Sequence, residues 1–205
     1  MAAAAAQPPD RDLLRLMMAG NRDAFATLYH RYRDVVFRFA LQMSGSDIIA
    51  QDVTQDVFLA FLRQAGRYDP SQGLVSTYLY GIARHMTRSR LRRERRFVSL
   101  DSETESESER HDTIETESVL EHAVRQQEIE QMRRAMVALP SRYREVIVLC
   151  DLHDHTYAEA AAIIGCAVGT VRSRLNRGRA HLRDKLEAMN RQSWCVPKSS
   201  PGYCL

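Results

Sequence analysis

Apolar residues recur at three- and four-residue steps over most of this chain, and that periodicity is the strongest constraint on its fold. Leu13, Leu16 and Met17 follow it, then Phe25, Leu28, Tyr29, Tyr32, Val35, Val36, Phe39 and Ala40. Such spacing gathers apolar side chains on one face of an α-helix. No alternating stretch is long enough to read as a strand. The expected fold class is all-α. Gly20-Asn21 and Ser44-Gly45-Ser46 break the pattern, as glycine with small polar neighbours does between helices. A third helix is expected from about Asp47 to Gln64, with Ile49, Val53, Val57, Ala60 and Phe61 on one face. A loop holding Tyr68-Asp69-Pro70 follows. A fourth helix, from about Leu74 to Arg96, is apolar early and arginine-dense late.

The composition then changes abruptly. Between Ser99 and Glu121 nine carboxylates face only Arg110, a net −8. Serine and glutamate alternate there with few apolar residues, a linker composition. Helical periodicity resumes with Ile129, Met132, Met136 and Leu139, then Tyr143, Val146, Ile147 and Leu149 after Pro140. The expected organisation is therefore two small helical domains joined by an acidic flexible linker. Residues 1–9 are a disordered N-terminus, 10–97 the first domain, 98–122 the linker, 123–190 the second domain and 191–205 a tail with Cys195 and Cys204.

The 205 residues carry a net charge of +3, with 27% charged and 44% hydrophobic residues. No run approaches the roughly 18 apolar residues of a membrane span. No secretory signal is legible, so a cytoplasmic protein without membrane insertion is expected. All the basic residues except Lys185 and Lys198 are arginine. Arginine suits forked contacts to phosphate and guanine edges. Cys150 and Cys166 sit in apolar stretches and read as reduced core residues.

Thr156 to Arg179 carries the strongest local motif. Thr156-x-x-Glu159 is a capping box that opens a short helix. A helix-turn-helix then needs a small residue at the helix contact, a glycine four residues later, and an apolar residue six beyond that. Ala161, Gly165 and Val171 fit. The second helix presents Arg172, Ser173, Asn176 and Arg177 at helical steps, with Arg174 and Arg179 nearby. From Arg172 to Arg191 seven bases oppose two acids, a net +5. Such a helix can enter the major groove and read base edges.

Two further patches are weaker alone. From Arg84 to Arg96 seven arginines oppose Glu94, a net +6, just after Tyr78 and Tyr80 and beside His85. Cations with stacking rings suit melted DNA, although a helix C-terminus also favours cations. Gln51, Asp52, Gln55 and Asp56 form a polar face on the third helix. Asp52 and Asp56 repel one turn apart, a cost of a few tenths of a kcal/mol that a basic partner would offset. No phosphate loop or nucleophile elbow is present, so no enzyme and no catalytic residue is expected. Cys150-x-x-His153-x-His155 lacks a fourth metal ligand. No metal or other cofactor is expected.

These residues together resemble the extracytoplasmic-function (ECF) sigma factors of bacterial RNA polymerase, over about Asp12 to Ala188. Ala50-Gln-Asp-Val-Thr-Gln-Asp-Val-Phe-Leu-Ala-Phe-Leu62 is similar to the helix of sigma domain 2 that docks on the polymerase clamp. Tyr68 to Gly73 with Tyr78-Leu-Tyr-Gly-Ile-Ala-Arg-His85 resembles its promoter-melting segment, with Tyr78 where tryptophan is usual. Leu139-Pro140, Thr156-Tyr-Ala-Glu159 and Val168-Gly-Thr-Val-Arg-Ser-Arg-Leu175 resemble the helix-turn-helix sigma domain 4.

The resemblance implies that Asp52, Gln55, Asp56 and Phe58 contact core RNA polymerase. It implies that Tyr68, Asp69, Ser71 and Gln72 cradle a base flipped from the −10 element, and that Arg84, His85 and Arg88 contact its upstream side. Arg172, Ser173, Asn176 and Arg177 would read the −35 element, while Tyr157 and Thr170 hold phosphates. The implied function is a sigma factor that directs promoter-specific initiation and stabilises melted DNA. Its partners are core RNA polymerase and promoter DNA, with an anti-sigma factor as a candidate. The alternative is a helix-turn-helix regulator that acts without being a polymerase subunit. A sigma mimic that titrates an inhibitor would not need arginines at both DNA surfaces. The −8 linker lies between the +6 and +5 patches, and such a placement would draw the two domains together.

Overall fold

The computed structural model describes residues 8–64, 66, 68, 74–98 and 119–194, excepting the side chains of 95–98, 119–124 and 192–194. Asp69, Ser71 and Gln72, residues 99–118 of the acidic stretch and the tail cysteines lie outside the described residues. Among the described residues there is no strand, in keeping with the period of the sequence. The helices are α1 (Asp10–Met18), α2 (Arg22–Ser44), α3 (Asp47–Gln64), α4 (Val75–Val98), α5 (Val119–Val137), α6 (Ser141–Ile147), α7 (Tyr157–Ile164) and α8 (Val168–Trp194). Helix thus enters both ends of the stretch 98–122.

The breaks fall where the local chemistry requires them. Asn21 caps α2 by accepting from the Ala24 N–H at 3.0 Å. That satisfies one of the donors every helix start leaves open. Gly45 ends α2 at φ 76°, with its N–H on the Leu41 carbonyl. Left-handed backbone there favours glycine. A second constraint coincides with it, because a Cβ at Gly45 would lie 2.5 Å from Val137 Cγ2.

The N-terminal bundle is α1 to α4, with α2 packed on α1, α3 and α4. Leu28 and Phe39 of α2, Phe61 of α3 and Leu79 of α4 are fully buried in it. Burial of each such side chain stabilises by about 1.5–3 kcal/mol. Asp10 accepts from both Arg31 and Tyr32, which ties α1 down on α2. In the C-terminal bundle α8 packs on α5, α6 and α7 around Val146, Leu149, Val171 and Leu175. Gly178 lets α8 approach α6, since a Cβ there would lie 3.1 Å from Ile147 Cδ1.

Two features escaped the period of the sequence. After Ile147, α6 widens into a π-helical turn, Val148–Leu152. Such single-turn widenings are rare within helices and recur at functional sites. Asp154 then takes φ 54°, and the His155 N–H returns to the Leu149 carbonyl at 3.0 Å. The result is a corner that carries His153 onto the other bundle. The two bundles are in fact packed together: α2 meets α5 and α6, and α4 meets α7.

Candidate nucleic-acid and protein interfaces

The capping box forms as its spacing requires. Thr156 Oγ1 accepts from the Glu159 N–H at 3.3 Å, and a Glu159 carboxylate oxygen accepts from the Thr156 N–H at 2.8 Å. These bonds from Thr156 hold the Glu159 carboxyl below the usual range. Gly165 ends α7 at φ 74°, and its N–H reaches the Ala161 carbonyl. Ala160 and Ala161 of α7 are buried.

Helix α8 then divides cleanly. Val171, Leu175 and Gly178 are buried, while Arg172, Ser173, Asn176 and Arg177 are exposed on the opposite side. Thr170 is half-buried and Tyr157 is exposed at the start of α7. All six residues expected to meet duplex DNA here therefore lie on the bundle's surface. Arg179 stands apart from them. Its Nε and Nη2 donate to Asp151 at 3.0 and 2.5 Å, so it braces α8 against the π-helical turn.

On α4 the expected −10 residues separate. His85 and Arg88 are exposed and Arg84 is half-buried. Tyr68 is half-buried with its ring 5.3 Å from that of Tyr78. Arg84 and Arg88 converge on one carboxylate, Glu145 of α6, which is 1% exposed. Arg84 Nη2 donates to Glu145 Oε2 at 3.3 Å, and Arg88 Nη1 lies 3.2 Å from Oε1. Nothing in the sequence pointed to Glu145.

On α3, Asp52 and Asp56 share a face with exposed Gln55. Phe58 does not. It is 3% exposed and its ring packs edge-on to Tyr29 at 4.8 Å. Side chains that follow one another by two residues point away from each other on a helix, so Phe58 turns into the core. The exposed apolar residues on this helix are Ile48, Leu59 and Leu62. With Asp52 and Gln55 they form one stripe at four- and three-residue steps. Arg90 of α4 also joins this site, although the sequence places it within the basic run. Its Nη1 donates to Asp52 at 2.5 Å and its Nη2 to Asp56 at 2.7 Å. The Asp56 bond foremost raises the Arg90 pKa.

Cys150, His153 and His155 do not converge as ligands. The His153 Nδ1 pairs with the Tyr80 hydroxyl at 2.6 Å and its Nε2 with Gln42 Oε1 at 2.8 Å. Gln42 Oε1 can only accept, so Nε2 carries the proton and Nδ1 accepts from tyrosine. Burial, with Arg38 nearby, lowers the His153 pKa to about 4. Burial also raises the Cys150 thiol. Among the described residues no group of three or more His, Cys, Asp or Glu is placed to hold a metal ion. No helix among them is long and apolar enough to cross a membrane.

Known proteins share both halves of this arrangement. Residues 28–97 match the family description "Sigma-70 region 2", and residues 129–182 match "Sigma-70, region 4". The ECF RNA polymerase sigma factor SigW of Bacillus subtilis is 30% identical over 177 residues, 84% of this chain and 94% of that protein. The ECF RNA polymerase sigma factor SigM of Mycobacterium tuberculosis is 33% identical over 186 residues, 88% of this chain and 86% of that protein. Among solved structures, CnrH in complex with the cytosolic domain of CnrY superposes with a TM-score of 0.64 at 26% identity, covering 87% of this chain and 97% of CnrH.

Proposed function

The chain belongs to the ECF sigma factors of RNA polymerase, and from that premise we propose how its own residues divide the work. As a member of the family it binds core RNA polymerase and directs promoter-specific initiation. It acts without bond chemistry of its own, in the cytoplasm. The α3 stripe of Asp52, Gln55 and Asp56, with exposed Ile48, Leu59 and Leu62, docks on core polymerase. Apolar residues supply the buried area of such a contact, and the carboxylates steer it.

The −35 element is read by α8. One observation carries this assignment: Arg172, Ser173, Asn176 and Arg177 are exposed on the face opposite buried Val171 and Leu175. Base edges in the major groove accept bonds from arginine and asparagine, while Tyr157 and Thr170 hold phosphates. The −10 element falls to α4, where His85, Arg84 and Arg88 meet its upstream side. Tyr68, Asp69, Ser71 and Gln72 receive a flipped base. Stacking and phosphate contacts there stabilise single strands. CnrH was solved with the cytosolic domain of CnrY, which supports a further protein partner here, and an anti-sigma factor is the one the family resemblance implies.

The test is reconstituted transcription with core polymerase and a promoter library. Initiation at a defined pair of elements is expected, and Asp52→Arg with Asp56→Arg should abolish it. Unchanged initiation by that double variant would sink the assignment of α3.

A further inference from the structure

Glu145 lies between Arg84 and Arg88, the two cations assigned above to the upstream side of the −10 element. Its carboxylate is 1% exposed, and both guanidiniums that face it come from the other bundle. A carboxylate set between two arginines on a surface built for DNA occupies the place of a phosphate. Both are planar or tetrahedral oxyanions that take forked N–H donors.

We propose that the free protein is self-masked: domain 4 closes over α4, and Glu145 stands in for a DNA phosphate until polymerase draws the domains apart. The inference rests on the −10 assignment of Arg84 and Arg88. Contacts far from Glu145 support the closure independently. Arg133 Nη1 donates to the Gly45 carbonyl at 2.6 Å, and Arg144 donates to the Met43 carbonyl. Both carbonyls belong to the end of α2, whose last acceptors need donors where its ladder stops. Val137 seats over Gly45 so closely that no side chain fits there. The Tyr80 ring packs edge-on against His153 and His155 at 5.3 and 4.5 Å.

The closure also explains why the α4 patch and α8 are not equivalent in the free protein. The reading face of α8 stays exposed, whereas Arg84 is engaged. Masking therefore acts on Arg84 and on the Glu145-facing side of Arg88, while His85 and the −35 surface stay exposed. Affinity for a surface that is open only part of the time falls by the open fraction.

The experiment uses the full chain with dyes at Arg63 and Glu187, both exposed, and a single-stranded −10 oligonucleotide. Wild type should give a high-transfer closed population. Glu145→Gln should move it to low transfer and tighten oligonucleotide binding by about tenfold. Transfer unchanged by Glu145→Gln overturns the latch. Opening without tighter binding, together with no effect of Arg88→Ala on that binding, overturns the −10 assignment and the masking with it.

A second variant guards against misfolding around Glu145. Arg133→Ala removes the bond to the Gly45 carbonyl and leaves Glu145 in place. It should likewise lower transfer and tighten oligonucleotide binding. Lower transfer in both variants with oligonucleotide binding unchanged in both overturns the proposal.

Discussion

Arg90 of α4 closes on Asp56 of α3, with Nη2 2.7 Å from Oδ2, while its other nitrogen reaches Asp52. The face proposed to dock on polymerase therefore carries its own counter-ion. Two carboxylates one turn apart repel, and a cation between them relieves the repulsion. The same cation competes with any basic partner that approaches.

Removing that cation has two separable effects. All three side chains are at least a third exposed, so Arg90→Ala should lower unfolding free energy by no more than about 1 kcal/mol. It should also tighten binding to core polymerase by roughly two- to fivefold at low salt, an advantage that screening removes. Titration of fluorescent variant against core polymerase at two salt concentrations checks this. Weaker binding would make Arg90 a positioning residue rather than a competitor.

Phe58 and Leu59 are neighbours in sequence with opposite fates. Phe58→Ala should cost about 3–5 kcal/mol of stability, since it empties a packed site against Tyr29. Leu59→Ala, at a side chain 50% exposed, should leave thermal unfolding nearly unchanged and weaken polymerase binding. Equal stability losses for the two would place Leu59 in the core of the first bundle. Paired denaturation and polymerase-binding curves decide it.

This pair also shows where the sequence was legible. Capping box, turn glycine and the reading face of α8 depend on residues within one or two turns of each other, and periodicity exposes them. The family resemblance groups Phe58 with the docking residues, although helical spacing alone turns it away from Asp52 and Asp56. Arg90, Glu145 and His153 were out of reach. Their partners lie 38, 61 and 73 residues away, respectively. Only the packing of the bundles brings them together. Charge runs locate basic surfaces, but they do not say which arginine is spent on an internal carboxylate.

Arg177 is exposed on α8 with its neighbour Asn176. Arg177→Ala should cost about 1–3 kcal/mol at one −35 position and relax specificity there. Initiation from a promoter library randomised at the −35 element measures it. An equal loss on every sequence would make Arg177 a phosphate contact.

Acid should open the domains. His153 is buried as neutral imidazole, with its pKa lowered to about 4 by burial foremost and by Arg38 of α2. Around it stand Gln42 of α2, Tyr80 of α4, and Asp154 and His155 of its own corner. His155 is lowered too, again by burial foremost. Once the domains part, His153 returns towards its ordinary value near 6.5. Between about pH 6.5 and 4 the open form therefore binds more protons than the closed one. Closure is at full strength above that window and weakens as pH falls through it. The slope approaches about tenfold per pH unit for one such group. Transfer between dyes at Arg63 and Glu187 should drop across this window, and His153→Gln should flatten the drop. A wild-type profile that stays level from pH 7 to 4.5 would show that protonation of His153 does not part the domains.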